Sequence, residues 1–446
     1  MPAIAPFRGI RYAAGGRALG NLLAPPYDVV SPAQREALAA RSPHNIVRIT
    51  LPQPEPGDVP GHDRYTRAAQ EYQAWVAQGV VQPDPRPALY ALEQAFLSPD
   101  GRERVRRGVI AAVRLHDLGE GAVRAHESTL AGPLADRLEL LRHVKTNLSP
   151  VFGLFEDARG EVAAALAGAF QPDPVASTET DDGVRQRLWR LDDPVAVASV
   201  QRALADRSIL IADGHHRYES ALAYRDWIDR QEPGLDPGAG HRWSLMFLLA
   251  TSDPGLLIYP THRLLRGVER LRVPELLSRL APFFEVSIVE EDIRRPSGRA
   301  WAISRLSDHL GKSSAFLLVT AEDRRARLLT LRDGADLAGL SLPADENLRA
   351  LDVSVLHGVV FEGVLGLSRL SQERQENLAY VRDAGEAVAR TLDGEFQAAF
   401  LLNPTPMWQV QAVADAGLSM PQKSTWFHPK IPSGLVMRSV DPHGPP

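Results

Sequence analysis

Apolar and polar positions along the first half of the chain follow the spacings of many short helices and strands. Apolar residues at helical spacing predict helices over 33–41, 64–78, 133–144, 161–170 and about 218–229. Apolar or alternating runs predict strands over 45–51, 88–97, 106–115, 151–155, 208–212, 245–250 and 256–259. Ser31, followed by Pro32, is typical of a helix start, and residues 98–101 predict a turn that joins two strands into a hairpin.

The second half alternates in the same way. Helices are predicted over 274–281, 298–310, 384–392 and 407–414, and strands over 284–289, 315–320, 326–331, 377–382 and 397–402. Alternating helices and strands with several hairpins predict an α+β or mixed α/β fold. We expect three parts: a core domain at 1–265, a small α/β lobe at 266–350 and an α/β segment at 351–446.

Composition narrows the possible functions. The chain has 446 residues, which allows two to four domains, and no cysteine, which excludes disulfides, thiolate metal sites and a cysteine nucleophile. A net charge of −5 makes nucleic acid an unexpected partner. No apolar run is long enough for a membrane span, and the first residues lack the apolar stretch of a signal peptide. We therefore expect a cytoplasmic protein.

The segment with the sharpest chemical signal is ILIADGHHRYE at 209–219, where an apolar strand runs into Asp213 and a helix. The first amides of a helix favour an anion, and Gly214, His215, His216 and Arg217 add a tight turn and polar or positive donors. Asp213 can hold Mg²⁺ or accept a proton from a hydroxyl. A phosphate site accounts for all five residues. Two alternatives stay open, which are a helix capped by Asp213 and a metal site at the paired histidines.

A second polar segment lies at 124–150. Glu127 is a candidate general base with His126 as its partner, and both precede the predicted 133–144 helix. Lys145 and Asn147 follow that helix in a predicted loop, where Lys145 can neutralise a phosphate. Helix capping beside a solvated loop is the alternative explanation.

A third polar segment, MPQKSTWFHPK at 420–430, contains two of only four lysines in the chain. Lysine is a compact charge suited to phosphate, so Lys423 is a candidate phosphate ligand, with Ser424 and Thr425 as hydroxyl donors. We expect a loop that lines the substrate. The alternative is a rigid tail with buried aromatic rings.

Six segments together resemble the bacterial and archaeal family known as domain of unknown function 1015. They occur in order and span nearly the whole chain: APPYDVV at 24–30, AHESTLAG at 125–132, LSP at 148–150, ADGHHRY at 212–218, PTHR at 260–263 and MPQKST at 420–425. The activity of that family is poorly defined.

A shorter resemblance, over residues 209–218, is to the ParB/sulfiredoxin-like superfamily, which includes chromosome-partition CTPases, ATP-using sulfiredoxins and free serine kinases. It implies a ParB/sulfiredoxin-like nucleotide-binding core with additional α/β lobes. It also implies that Asp213 and residues 214–217 take the acid and phosphate roles, with Glu127 as our candidate base. The chain departs from the partition proteins because it shows no convincing pair of DNA-reading helices, and from sulfiredoxin because it has no cysteine.

These observations predict a nucleotide-dependent kinase that phosphorylates a small hydroxyl compound such as free L-serine, with ATP or ADP and Mg²⁺ as cofactors. Two alternatives are a nucleotide-binding regulator of the ParB type that acts on nucleic acid and a phosphoester hydrolase in which Glu127 and His126 activate water.

Overall fold

A computed structural model of the chain describes residues 2–129, 131–269 and 271–446. Leu130, which belongs to the segment at 125–132, lies outside the described residues. The chain divides into two compact units. The first contains residues 1–125, 129–257 and 429–446, and the second contains 126–128 and 258–428. The predicted division into three parts, at 1–265, 266–350 and 351–446, is not tested by this division into two units and stays a prediction.

Strands of the first unit alternate with helices. The strands are Ile4–Ala5, Ile10–Tyr12, Val81–Pro83, Leu89–Leu97, Glu103–Arg114, Val123–Arg124, Thr146–Asn147, Val151–Phe155, Ala176–Glu179, Arg185–Leu191, Ile209–Asp213, Trp243–Ala250 and Arg438–Ser439. The α-helices are Gly16–Gly20, Pro32–Arg41, Val47–Thr50, Arg64–Ala77, Ala131–Val144, Glu161–Leu166, Pro194–Leu204 and His215–Gln231. Short 3-10 helices lie at Tyr27–Val29, Leu118–Glu120, Ala167–Phe170 and Gly240–Arg242.

Nine of the described strands form one mixed sheet in the first unit. Its central strands, Val151–Phe155 and Trp243–Ala250, run parallel to each other, while Glu103–Arg114 and Leu89–Leu97 form the predicted antiparallel hairpin. The central strands are almost wholly buried and apolar, as expected where helices cover a sheet. The helix Ala131–Val144 and the helix His215–Gln231 contribute to the same core, among them Leu141 and Tyr218. The predicted mixed α/β class is confirmed.

The second unit is built on an antiparallel sheet of six described strands. In sheet order they are Phe284–Val289, Ala326–Leu331, Ala315–Thr320, Ala398–Leu401, His262–Leu265 and Leu378–Val381. A separate two-stranded ribbon pairs Leu257–Tyr259, which begins at the unit boundary, with Trp426–His428. The helices are Val273–Leu280, Pro296–Ser307, Glu346–Arg349, Asp352–Val355, Arg369–Glu373, Ala384–Leu392 and Met407–Asp415, with a π-helix at Leu356–Val364. Its core is separate from that of the first unit and includes Leu317, Ala387 and Leu401.

One predicted strand is wrong. Residues 45–51 read as a strand because they contain Ile46, Val47 and Ile49, yet Val47–Thr50 is a short helix. The Asn45 side chain accepts a hydrogen bond from the backbone N–H of Val47 at 2.9 Å, which is a local turn that competes with an extended chain. The β-branched residues are there because the segment is buried, since all three have no exposed surface.

Along the described part of the chain, no helix combines the length and apolar character needed to cross a bilayer.

Candidate functional site

The strand Ile209–Asp213 leads into the helix His215–Gln231 through Gly214, in the first unit. The pairing of this strand with Val151–Phe155 shifts between Ile211 and Asp213, an irregularity of the kind that redirects a side chain at the end of a strand. Gly214 has φ +91°, a left-handed conformation that favours glycine. The helix therefore begins at His215, three residues earlier than predicted.

Asp213 does not cap this helix. Gly214 is the N-cap residue, and within the described chain no side chain makes a capping bond there. The first backbone hydrogen bond of the helix runs from the Tyr218 N–H to the Gly214 carbonyl at 3.0 Å. The amides of the first turn therefore keep the partial positive charge that attracts anions. The alternative in which Asp213 is only a cap is wrong.

Asp213 instead joins two cations. Its Oδ2 accepts a hydrogen bond from Arg217 Nη2 at 2.6 Å, and its Oδ1 accepts one from the Lys430 ammonium. Only 11% to 13% of each of the three side chains is exposed, so solvent screens the cluster weakly. Two cations around one carboxylate leave a net positive charge at the start of the helix.

This charge pattern fixes the protonation of Asp213. Burial alone would raise the pKa of its carboxyl, but the Lys430 ammonium and the Arg217 guanidinium outweigh burial and hold that pKa well below its usual range. Burial has the opposite consequence at His215, whose pKa it lowers to about 4, so that its imidazole is neutral at pH 7. His216 is half-buried in the first turn of the same helix.

Lys430 is held in place by a buried polar network. Arg106 has no exposed surface and donates from Nη2 to the carbonyl of Pro429 and from Nε to Gln94 Oε1 at 2.8 Å. Gln94 Nε2 in turn donates to the carbonyl of Lys430 at 3.2 Å. These bonds hold the backbone from which the Lys430 side chain extends, and the ion pair with Asp213 orders the side chain itself.

Arg217 also lines a partly open cavity of about 60 Å³, named here the inner cavity. Its polar lining residues are Tyr27, Thr50, Arg137, Thr146, Asn147, Ser149, Arg217, Ser220 and Ser244. The two guanidinium groups in this lining carry the charge that suits an anion. The hydroxyls of Thr50, Thr146 and Ser220 already donate to backbone carbonyls. The predicted site residues Arg217 and Asn147 therefore meet at one cavity, although Asn147 Oδ1 also accepts a bond from the Leu245 N–H at 3.1 Å.

Lys145 is exposed and ends the helix Ala131–Val144 with φ 52°, and it does not belong to the lining of the inner cavity. The segment after it was predicted to be a loop. Thr146–Asn147 is instead a two-residue strand that pairs with Arg438–Ser439 near the end of the chain.

The second unit brings together a different set of predicted residues. Glu127 Oε1 accepts a hydrogen bond from the backbone N–H of Lys423 at 3.2 Å, and the His126 carbonyl accepts one from the Met420 N–H at 2.7 Å. Lys423 has φ 58°, an unusual conformation for a residue with a side chain. Its carbonyl accepts a bond from Arg263 Nη2 at 3.1 Å, so the turn is held from both sides.

The hydroxyls predicted to bind phosphate have partners inside this second unit. Thr425 Oγ1 lies 3.1 Å from His126 Nε2, and Ser424, which is buried, donates from Oγ to the carbonyl of Pro421. The ring of Phe427 packs edge-on against His126 at 6.0 Å between centroids. The His126–Glu127 segment and residues 420–427 thus form one locally ordered cluster.

The predicted site residues fall into two groups. Asp213, Gly214, His215, His216, Arg217, Lys145 and Asn147 lie in the first unit, whereas His126, Glu127, Lys423, Ser424 and Thr425 lie in the second. The segment at 420–430 was predicted to act as one loop, but it divides between the units after residue 428. Sequence reasoning assigned no role to Lys430 or Arg106. Lysine is rare in this chain, and that rarity could have marked Lys430 as a functional residue. Arginine is common, so nothing in the sequence distinguishes Arg106.

The described residues do not fit a metal ion held by the protein. Among residues 2–129, 131–269 and 271–446, no three or more His, Asp or Glu side chains gather in a way that could hold one. Both carboxylate oxygens of Asp213 already face cations. The donors at this junction suit an anion and not Mg²⁺, which prefers oxygen ligands.

A protein-family model matches the part of the chain that contains the strand–helix junction at residues 209–219. The model described as "Protein of unknown function (DUF1015)" matches residues 4–354, and the chain belongs to that family. The match includes the junction and ends before Lys423 and Lys430. No curated protein matches the chain.

Several solved structures resemble the chain weakly. A conserved hypothetical protein from Pyrococcus furiosus shares 16% identity at a TM-score of 0.35, over 75% of this chain and 95% of that one. A free serine kinase in complex with AMP shares 14% identity at a TM-score of 0.35, over 72% of this chain and 86% of that one. SbnI from Staphylococcus aureus, truncated at its C-terminus, shares 11% identity at a TM-score of 0.31, over 74% of this chain and 81% of that one.

Proposed function

We propose that the chain is a nucleotide-dependent kinase that transfers a phosphoryl group from ATP or ADP to the hydroxyl of a small molecule such as free L-serine. The observation that carries this proposal is the cluster of Asp213, Arg217 and Lys430 at an uncapped helix start, with Arg217 also facing the inner cavity. The resemblance of residues 209–218 to the ParB/sulfiredoxin-like superfamily supports a nucleotide-binding core of that kind.

The cluster provides what phosphoryl transfer needs from a protein, which is mainly positioning and neutralisation of charge. Arg217 and Lys430 carry two positive charges, the helix dipole adds a partial one, and Asp213 removes only one. Asp213 acts as the positioning residue because it holds both cations in fixed places before the nucleotide binds. Binding then requires little reorganisation of the site.

The reaction also needs a group that accepts the proton of the attacking hydroxyl. The hydroxyl oxygen forms the new bond to phosphorus, the bond from phosphorus to the leaving nucleotide oxygen breaks, and the proton passes to a base. Glu127 remains our candidate for that base, with His126 beside it. One of its oxygens accepts a bond from the Lys423 N–H, which fixes the orientation of the carboxylate.

Nucleotide binding is tested by thermal shift with ATP, ADP and AMP, with and without Mg²⁺. At 100 times its dissociation constant a nucleotide adds about 2.7 kcal/mol to the free energy of unfolding, which is a readily measured shift. We expect Lys430→Met to weaken binding at least tenfold. Lys312→Met removes an exposed lysine and is the matched control. Equal nucleotide affinity in Lys430→Met and wild type would remove the cluster from the nucleotide site.

Phosphoryl transfer is tested by incubating the protein with nucleotide and a panel of hydroxyl amino acids and following the phosphorylated product. We expect Glu127→Gln to keep nucleotide binding and lose at least a hundredfold in turnover, since a general base contributes about 10²–10⁴ in rate. Inorganic phosphate released without a phosphorylated acceptor would identify a hydrolase instead. Nucleotide-dependent binding of DNA without turnover would identify a regulator.

A further inference from the structure

A second, larger cavity of the first unit has no part in the proposed transfer. It measures about 360 Å³ and is named here the outer cavity. Its walls include Tyr27, Leu51, Pro52, Arg64, Pro133 and Arg137. The volume is within the range that small organic ligands occupy. Tyr27 and Arg137 also line the inner cavity.

The outer cavity carries an excess positive charge. Asp136 accepts a hydrogen bond from Arg64 Nη2 at 2.8 Å on Oδ1 and one from Arg137 Nε at 2.9 Å on Oδ2. Burial alone would raise the pKa of Asp136, but the two arginines and the Tyr65 hydroxyl lower it below the ordinary value. Two guanidinium groups thus share one ionised carboxylate, which leaves one positive charge for a ligand.

The side chains of Arg64 and Arg137 differ in how firmly their contacts hold them. Arg137 is buried, donates from Nη1 to the Thr50 carbonyl at 2.7 Å and stacks on the Tyr27 ring at 4.0 Å. Arg64 has 34% of its side chain exposed. Within the described residues its bonds to Asp136 and Tyr65 both use Nη2, so Nε and Nη1 make no hydrogen bond there. The Arg137 side chain is therefore held in place at the edge of the cavity. Arg64 is the group that can bind an incoming anion.

Apolar surface surrounds this charge. Leu51, Pro52, Pro54 and Pro133 join the Tyr27 ring around the cavity. Rigid proline and aromatic faces bind flat or aliphatic groups with little loss of side-chain entropy. A ligand that fits must combine an apolar body with a single negative charge.

We infer that the outer cavity binds a small molecule with an apolar body and one anionic group, carboxylate or phosphate, and that Arg64 pairs with that group. This site is separate from the nucleotide site at Asp213 and does not depend on the kinase proposal. Its position beside Tyr27 and Arg137, which also line the inner cavity, makes it suited to an effector.

The test uses three probes of similar size, which are benzoate, phenyl phosphate and the uncharged benzamide, titrated against the full chain by ligand-observed NMR. We expect at least one of the two anions to bind ten times more tightly than benzamide. Comparison of benzoate with phenyl phosphate identifies which anionic group the cavity takes. Equal binding of all three probes would overturn the inference, because charge would then play no part.

Substitutions at Arg64 test whether the anions bind in the outer cavity. Arg64→Gln should reduce anion affinity about tenfold and leave benzamide unchanged, and Arg64→Lys should restore part of it. Arg86→Gln is the matched control, because Arg86 has 76% of its side chain exposed and pairs with Asp192 away from the cavity. Undiminished anion binding in Arg64→Gln would also overturn the inference. Asp213→Asn should leave benzoate binding intact, so failure of the nucleotide site and failure of this site are separable.

Discussion

At the scale of single residues, Asp213 determines the electrostatics of the candidate site. The carboxylate is largely buried, and it is stable there only because Lys430 and Arg217 face it. Removing one partner of such a cluster leaves charges without compensation, which costs more than the pair itself contributes. Asp213 is thus important to the stability of the first unit as well as to anion binding.

We expect Asp213→Asn to lower the free energy of unfolding by about 3 kcal/mol at pH 7. The pKa of Asp213 is lowered in the folded protein, so the stabilisation is complete above its unfolded pKa of about 3.9 and decreases as the pH falls toward the folded pKa. Urea denaturation of wild type and variant between pH 2.5 and 7 should show the difference shrinking in acid. An unchanged stability at pH 7 would contradict the ion cluster.

His215 predicts a pH dependence in a different range. Its folded pKa of about 4 is below the unfolded value of about 6.5, so the unfolded state binds the proton first. Wild type should therefore lose stability relative to His215→Gln as the pH falls from 6.5 to 4, by on the order of 3 kcal/mol. Denaturation curves of both proteins at pH 7, 5.5 and 4 measure this. Parallel curves at all three pH values would show that burial does not perturb this histidine.

The residue scale also shows the limit of sequence reasoning. Asp213, Gly214 and Arg217 are neighbours in sequence, so a local motif indicated them together. Lys430 is 217 residues from Asp213, and its role depends on hydrogen bonds from Arg106 and Gln94 to backbone carbonyls. Contacts of that kind leave no periodic or compositional pattern.

At the scale of elements, the junction between the Ile209–Asp213 strand and the His215–Gln231 helix depends on one glycine. A Cβ on Gly214 would lie 2.8 Å from the Arg217 guanidinium, and its φ of +91° is strained for other residues. Glycine therefore allows Arg217 to fold back over the turn and reach Asp213.

Gly214→Ala should displace Arg217 and weaken nucleotide binding at least tenfold, with a loss of about 1–3 kcal/mol in stability. Gly234→Ala is the matched control, since Gly234 has φ +92° and a Cβ added there would meet nothing within 4 Å. It should cost similar backbone strain without affecting the nucleotide. The same nucleotide affinity in both variants would contradict the steric role of Gly214.

Most helices and strands were predicted, but buried helices whose composition is strand-like or uniformly apolar were not. The Pro32–Arg41 helix begins with a capping box of Ser31 and Gln34, a signal that is visible in the sequence. The Val47–Thr50 helix has a strand-like composition because it is buried. The π-helix Leu356–Val364 is apolar on nearly all sides, so no periodic pattern marks it.

At the scale of the whole molecule, each unit has its own apolar core. Leu248→Ala should cost about 2–5 kcal/mol in the first unit and Leu317→Ala a similar amount in the second, because both side chains are almost completely buried. Hydrogen–deuterium exchange should show lost protection mainly in the unit that carries each substitution. Equal loss across both units from either variant would show that the chain unfolds as one cooperative body.

The return of residues 429–446 to the first unit has a consequence for biosynthesis. A ribosome completes the strand that ends in Asp213 long before it adds Lys430, so a growing chain holds the aspartate and Arg217 without the second cation. The anion site is assembled only when translation has passed residue 430. Prematurely terminated chains that end before this lysine would therefore lack the full charge of the pocket, even if their central sheet had formed.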